Sequence, residues 1–226
     1  MGETINLTSP GDGFVFGAWR AQPPDARRGG LILIHEIFGV TDHIRALADA
    51  YAEEGYETLA PSLFDRRAHR FEAAYDAVGA AEGRALSEAA PWDEVAQDLA
   101  AAAASLAPPV FVVGYCWGGT AAWLAACRVP VIAAASAYYG RRIPELLHET
   151  PACPILLHFG REDAAIPPET LAAIDEAHPD IPRHLYDAGH GFASDRRDDY
   201  QPDAARLARL RTLQLFARHG VGQGEI

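Results

Sequence analysis

A cysteine stands at the centre of the sequence GYCWGG (114–119). The spacing Gly-x-nucleophile-x-Gly is typical of a nucleophile elbow, a tight strand-to-helix turn that exposes its central side chain. The flanking residues fit, because the β-branched and aromatic run 110–113 predicts a buried strand and the small residues 120–127 predict a helix. The two glycines of the motif would let both backbones approach closely. We therefore interpret Cys116 as a nucleophile.

The alternative for each of the three cysteines is an inert core thiol, since free cysteine is among the most buried residue types. Cys127 and Cys153 suit that interpretation better than Cys116 does. Three cysteines without C-x-x-C spacing also argue against a disulfide framework or a structural zinc site. Free thiols are typical of a reducing compartment, so we expect a cytoplasmic protein.

A cysteine nucleophile needs a base, and the base needs a third group that fixes its tautomer. Two predicted strands are followed by such groups: Asp163 comes soon after ILLHFG (155–160), and His190 comes directly after RHLYDAG (183–189). The chain order of nucleophile, acid and histidine is the order found in α/β-hydrolases. The sequence therefore predicts a triad of Cys116, Asp163 and His190.

Each of these residues has a plainer alternative. Asp163 can cap a helix that begins near Pro167, and His190 is one of nine histidines. Glu162 is the fallback acid, although it is longer and lies one residue closer to its strand. His158 lies inside an apolar strand, and we interpret it as a hydrogen-bonded core residue.

Strands and helices alternate along the chain. The pattern predicts strands at 13–19, 31–37, 56–61, 110–113, 131–140, 155–160 and 183–189, and helices at 43–55, 92–106, 120–127, 168–177 and 203–218, with one or two helices in all between 67 and 106. This alternation predicts a single domain over residues 1–226 with an α/β-hydrolase fold, a mostly parallel sheet, helices on both faces and no separate lid domain. Ligands of such sheets bind beyond the carboxyl ends of the strands, where the triad candidates fall.

The composition removes several classes of protein. All 19 basic residues are arginine, which excludes enzymes that depend on a lysine amine, such as pyridoxal-phosphate enzymes and P-loop nucleotidases. The formal net charge of −12 argues against a nucleic-acid partner. The sequence contains neither a signal peptide pattern nor an apolar run long enough to span a membrane, so we expect no membrane association.

The segment HEIFG (35–39) follows a predicted strand at the position that donates one oxyanion-hole N–H in folds of this kind. Glu36 is unexpected there, because a carboxylate opposes a developing negative charge. A zinc motif H-E-x-x-H would need a histidine where Gly39 stands, so we expect no metal. The alternatives are a solvated loop residue, or a second base that takes the proton from Cys116 when substrate binds.

With HEIFG, GYCWGG, GREDAAIP and AGHGFA, the chain resembles the dienelactone hydrolase family, the carboxymethylenebutenolidases, from about Gly13 to Phe216. The resemblance implies a cofactor-free hydrolase that opens a small lactone or ester through a thioester on the triad cysteine. It implies that Glu36 deprotonates the thiol on substrate binding, so that the resting thiol is largely neutral. It also implies oxyanion-hole N–H groups from Ile37 and Trp117.

One position departs from that family. Members that cleave dienelactones resemble one another in an arginine four residues beyond the histidine, and Ser194 stands there in this chain. Other arginines can replace it as a carboxylate clamp. The candidates are Arg66, Arg67, Arg70, Arg196 and Arg197. Phe38, Trp117 and Tyr139 are candidates to line an apolar pocket, and Ser194 is a further candidate to contact the substrate.

Two further functional hypotheses remain open at this point. An acyl or thiol transferase would use the same thioester but exclude water. A non-catalytic or redox-sensing thiol protein would use the scaffold alone, since fold does not fix function. The sequence does not indicate an oligomeric state.

Overall fold

The structure is a computed structural model that describes residues 2–220, in which one eight-stranded sheet is packed against helices. The strands are β1 (Glu3–Thr8), β2 (Val15–Ala21), β3 (Gly29–Ile34), β4 (Tyr56–Pro61), β5 (Val110–Tyr115), β6 (Ile132–Tyr138), β7 (Ile155–Gly160) and β8 (Arg183–Tyr186). The helices are α1 (Asp42–Glu53), α2 (Ala77–Ala89), α3 (Trp92–Ala104), α4 (Trp117–Arg128), α5 (Pro168–Ala177) and α6 (Pro202–His219), with a short 3₁₀ helix at Ile143–Leu146.

The strand order β1-β2-β4-β3-β5-β6-β7-β8 confirms the predicted α/β-hydrolase fold. Strands β1, β2 and β4 pair antiparallel, and every pair from β4 through β8 is parallel. All residues of β3, β4, β5 and β7 are buried, which requires cover on both faces of the sheet. The parallel strands therefore present their carboxyl ends, and the loops that follow them, along one edge.

Several predicted elements are confirmed to the residue, namely β4, β7 and α5. The segment between 67 and 106 forms two helices, α2 and α3. The predicted strand at 31–37 ends earlier, at Ile34, so that His35, Glu36 and Ile37 lie in the loop beyond its carboxyl end. The predicted strand at 183–189 likewise ends at Tyr186, which places the residues before His190 in a loop.

Strand β1 was not predicted. It lies at the edge of the sheet, and of its six residues only Leu7 is buried. Its apolar signal is therefore weak. No helix within residues 2–220 is both long enough and apolar enough to cross a membrane.

Candidate active site

Cys116 lies between β5 and α4, at the turn that the GYCWGG motif predicts. Its backbone adopts φ +56° and ψ −116°, a conformation that non-glycine residues rarely adopt. A Cβ atom on Gly114 would lie 1.9 Å from the carbonyl oxygen of Gly118, and a Cβ on Gly118 would lie 2.5 Å from that of Ile34. The close approach of strand and helix therefore requires both glycines, and the sequence-based reason for them is confirmed.

Cys116, His190 and Asp163 form a continuous hydrogen-bonded chain. The Cys116 Sγ atom lies 3.2 Å from His190 Nε2, and His190 Nδ1 lies 2.7 Å from Asp163 Oδ2. Asp163 is buried, and its Oδ1 atom accepts a hydrogen bond of 2.8 Å from the backbone N–H of Ala165. Helix α5 is capped at Pro167 without a side-chain bond, so Asp163 is not its cap. The structure thus brings the three predicted residues together, and Glu162 makes no contact of this kind.

The charges around these three residues favour the protonated imidazole of His190. Burial opposes protonation of His190, but the neighbouring Cys116 sulfur and the Asp163 carboxylate outweigh it and raise the pKa of His190 to about 10. Because Asp163 accepts the proton of Nδ1, Nε2 is left facing the sulfur. Nε2 of the charged imidazole therefore carries a proton that faces the sulfur.

Glu36 is buried near Cys116, His190 and Asp163 but is not hydrogen-bonded to any of them. Neither of its carboxylate oxygens has a hydrogen-bond partner within residues 2–220. Burial raises the pKa of the carboxyl group, and the charges of Arg197 and His190 oppose that rise. The solvated-loop alternative for Glu36 is wrong, because only 1% of the residue is exposed. In this structure the Cys116 Sγ atom is hydrogen-bonded to His190. The predicted transfer of the Cys116 proton to Glu36 stays a prediction.

A cavity of about 360 Å³ opens onto the sulfur. Ile37 and Trp117, predicted to supply the oxyanion hole, both line it together with Cys116. Trp117 is the first residue of α4, and the first N–H groups of a helix have no acceptor within it. That N–H and the positive end of the helix dipole favour negative charge at this point of the cavity. The other lining residues are Ala80, Arg84, Ser87, Arg141, Arg142, Glu162, Ala164, Ala165, His190, Arg197 and Asp199.

Of the predicted substrate-binding residues, Phe38 and Tyr139 lie close to the site, whereas Arg70 does not. Phe38 is buried and lines a second cavity that adjoins the first, and the buried Tyr139 ring lies 5.2 Å from the ring of His190. Ser194 is buried, and its Oγ atom has no hydrogen-bond partner in the described chain. Arg70 is exposed and lines neither of these cavities, so the structure does not bring it to the site.

The arginines near the sulfur are mostly ones that sequence reasoning missed. Arg197, one of the predicted candidates, lines the cavity and lies 5.7 Å above the Phe38 ring. Arg84 and Arg141 also line it and were not predicted. Arg141 could have been found, because it follows the carboxyl end of β6 as His190 follows that of β8. Arg84 comes from α2, and nothing in the local sequence marks it.

Other predicted arginines are engaged elsewhere. Arg66 forms ion pairs with Asp12 and Asp98, at 2.6 Å and 2.8 Å. Arg67 pairs with Glu94 at 2.5 Å. These contacts leave neither guanidinium available to the cavity, whose lining includes neither residue.

The remaining thiols and the core histidine match their plainer interpretations. Cys127 and Cys153 are half-buried, and burial raises their pKa values to about 12 and about 11, which keeps both thiols neutral. His158 is fully buried and hydrogen-bonds Tyr186 at 2.8 Å and Thr212 at 3.3 Å. Within residues 2–220, no group of three or more His, Cys, Asp or Glu side chains is arranged to hold a metal ion.

The sheet order, the strained elbow and the order of its hydrogen-bonded partners define an α/β-hydrolase. Residues 16–220 match the family model described as the Dienelactone hydrolase family, and the chain belongs to that family. The resemblance in its motifs is thereby confirmed, and the chain is a carboxymethylenebutenolidase-like hydrolase.

Individual relatives match this chain over nearly its whole length and theirs. The chain is 31% identical over 229 residues to the carboxymethylenebutenolidase of a Pseudomonas species, covering 96% of this chain and 95% of the relative. It is 28% identical to a crystal structure from Klebsiella pneumoniae, provisionally described as a dienelactone hydrolase, with a TM-score of 0.84 and coverage of 96% and 99%. A dienelactone hydrolase-like promiscuous phosphotriesterase from metagenomic libraries, 18% identical with a TM-score of 0.78 over 97% and 98% of the two chains, shares the fold.

Proposed function

We propose that this hydrolase opens a dienelactone or a similar small lactone or ester with Cys116 as its nucleophile, through a thioester intermediate. The observation that carries this proposal is the hydrogen-bonded chain from Cys116 through His190 to Asp163, at 3.2 Å and 2.7 Å. A sulfur that is held in this way at the floor of a cavity is arranged for acyl transfer rather than for packing.

The reaction follows from the positions of the groups. The Cys116 thiolate attacks the carbonyl carbon of the substrate, and the carbonyl oxygen becomes an anion that accepts hydrogen bonds from the N–H groups of Ile37 and Trp117. As the carbon–oxygen bond breaks, the imidazolium of His190 gives its proton to the leaving oxygen. A water molecule, deprotonated by the now neutral His190, then attacks the thioester. As the carbon–sulfur bond breaks, the acid product leaves, the thiolate takes back the proton held by Glu36, and His190 is again an imidazolium.

Glu36 acts in this proposal as a second base, which takes the thiol proton when substrate enters. Its buried carboxylate, without a hydrogen-bond partner in the described chain, supports a group held for proton transfer rather than for stability. Burial raises the pKa of this carboxyl group, which makes its ionised form a better proton acceptor, and the charges of Arg197 and His190 and the Tyr75 hydroxyl oppose that rise. A carboxylate so placed would otherwise oppose the oxyanion, so neutralising it by protonation also removes that opposition.

The charge around the cavity supports a substrate that carries a carboxylate. Arg84, Arg141 and Arg197 line it, and none of the three forms an ion pair within residues 2–220. Among residues 2–220, two acids outside the triad, Glu162 and Asp199, line the same cavity. Guanidinium groups bind carboxylates through two parallel hydrogen bonds.

The test is the decay of ultraviolet absorbance of a cis- and a trans-dienelactone with the native protein and with Cys116→Ala. We expect decay with the native protein and none above background with the variant. Equal decay with both would contradict the assigned nucleophile. No decay of either lactone, with turnover of uncharged esters, would contradict the carboxylate-bearing substrate alone.

A further inference from the structure

The loop after β3 begins with a histidine whose ring faces the backbone of its own loop. His35 is fully buried, and its Nδ1 atom lies 2.5 Å from the carbonyl oxygen of Glu36. A carbonyl oxygen only accepts hydrogen bonds, so Nδ1 carries the proton and donates it. Burial lowers the pKa of His35 to about 4, which leaves the ring neutral near pH 7. The other ring nitrogen has no hydrogen-bond partner within residues 2–220.

The carbonyl that His35 holds belongs to the same peptide unit as the N–H of Ile37. This unit is trans and planar, so its C=O and N–H bonds point in opposite directions. A hydrogen bond that fixes the direction of the Glu36 carbonyl therefore also fixes the direction of the Ile37 N–H. Ile37 lines the cavity beside Cys116.

We propose that His35 is a positioning residue for the oxyanion hole: its Nδ1–H holds the Glu36 carbonyl and thereby aims the Ile37 N–H at the carbonyl oxygen of the substrate. The inference rests on the proposed thioester reaction, in which that oxygen becomes an anion. Rotation of the peptide unit by a half-turn would present the Glu36 carbonyl oxygen to the anion instead of a donor, so this one bond separates a formed from an unformed hole.

The ring itself is held in place by the residue that supplies the second donor. The His35 and Trp117 rings are nearly parallel, with centroids 5.6 Å apart, and the Phe64 ring meets the edge of His35 at 4.9 Å. A Cβ on Gly118 would lie 2.5 Å from the His35 carbonyl oxygen, so α4 packs directly against the start of the loop. His35 is therefore positioned against the same helix end whose first N–H faces the cavity.

The next two carbonyls of the loop, those of Ile37 and Phe38, contact backbone rather than side chains. The N–H of Ala73 donates to the carbonyl of Phe38 at 3.0 Å. The carbonyl of Ile37 packs so closely on α2 that a Cβ on Gly83 would lie 2.0 Å from it. The Glu36 carbonyl is held by a side chain, which makes its orientation open to a single substitution.

The test compares two substitutions of nearly equal shape. His35→Asn places an amide N–H where Nδ1 stands, and His35→Leu removes the donor. Both lose the ring packing on Trp117, so their difference reports the hydrogen bond. Two rates are measured for each folded protein: kcat and KM for a small ester, and alkylation of Cys116 by iodoacetamide, which needs the thiolate but no oxyanion hole.

We expect His35→Leu to lose about 100-fold in kcat, as when one oxyanion donor is removed, with KM and the alkylation rate within about 3-fold of native. His35→Asn should recover most of that loss. Equal losses in both variants, or a parallel fall in turnover and alkylation, would overturn the proposal. If His35→Leu does not fold, His35→Ala provides the donor-free variant. Failure of the proposed function itself looks different, because the native protein would then turn over no ester.

Discussion

Asp163 and Glu162 are adjacent in sequence, but only Asp163 reaches His190. The Asp163 carboxylate is buried and lies 2.7 Å from Nδ1 of that histidine, whereas Glu162 is exposed at the rim of the cavity. A difference of one residue after β7 thus decides which acid orients the base.

Asp163→Asn should lower kcat/KM by on the order of 10³–10⁴-fold, because an amide favours the wrong tautomer of the base. The pKa of His190 should fall as well, since the carboxylate is one of the groups that raise it. Steady-state kinetics and the pH dependence of Cys116 alkylation measure the two effects. Glu162→Gln is the matched control and should change kcat/KM by less than about 5-fold, in line with its exposure. The reverse ranking of the two variants would assign the acid to Glu162.

Glu36→Gln should lower kcat by about 10²-fold or more, as for loss of a general base, without lowering the melting temperature. The folded protein holds a proton on Glu36 more tightly than the unfolded chain does, because burial raises the pKa of Glu36. Stability is therefore lost as pH rises above the ordinary range of a carboxyl group, and the amide removes that loss. Thermal unfolding at pH 5 and pH 7.5 checks the sign. A variant that is less stable at pH 7.5 and fully active would contradict both parts.

Arg197→Gln should raise KM for esters that carry a carboxylate by about 10-fold or more, because a charge-assisted hydrogen bond contributes about 1.5–3 kcal/mol. KM for uncharged esters of the same size should change little. Arg70→Gln provides the control, since Arg70 is exposed and lines neither cavity near the sulfur. Equal effects of Arg197→Gln on charged and uncharged esters would remove Arg197 from carboxylate binding.

The titration of His35 should make the stability of the protein depend on pH, and this effect can be measured without any assay of catalysis. Its pKa is lowered to about 4 in the folded protein from an ordinary value of 6.5, so the unfolded chain binds the proton more tightly. The contribution of neutral His35 to stability is thus complete above pH 6.5 and is lost as pH falls toward 4. Between pH 6.5 and pH 4, the free energy of unfolding of the native protein should fall by roughly 3 kcal/mol more than that of His35→Asn, which has no titrating ring. Urea unfolding across this range measures the difference, and parallel curves would contradict it.

The sequence predicted the parts of the site that follow strand ends. Cys116, Asp163 and His190 each come after a parallel strand, and the fold places all such positions at one edge. Strand β1 was missed because it is largely exposed and carries little apolar pattern. Arg84 was missed for another reason: it reaches the cavity from the middle of a helix, and only tertiary packing decides which helix faces the sulfur.

The prediction for Arg70 shows the same limit from the other side. Local sequence placed it among several arginines, but its backbone N–H is held by Asp65 at 2.7 Å and its side chain is exposed away from the cavity. Arg197 came from the same kind of reasoning and does line the cavity. Sequence spacing alone did not separate the two residues.

The most direct test of the account is the intact mass of the protein during reaction with a slowly hydrolysed ester. The account predicts one acyl group per chain, carried by Cys116, in the native protein and in a variant with Cys127→Ser and Cys153→Ser. Both of those thiols are kept neutral by burial, so their removal should not affect acylation. No acyl adduct should form on Cys116→Ala. Two results would contradict a thioester on Cys116. One is turnover of the ester by the native protein with no adduct detected after rapid acid quench. The other is an adduct that still forms on Cys116→Ala.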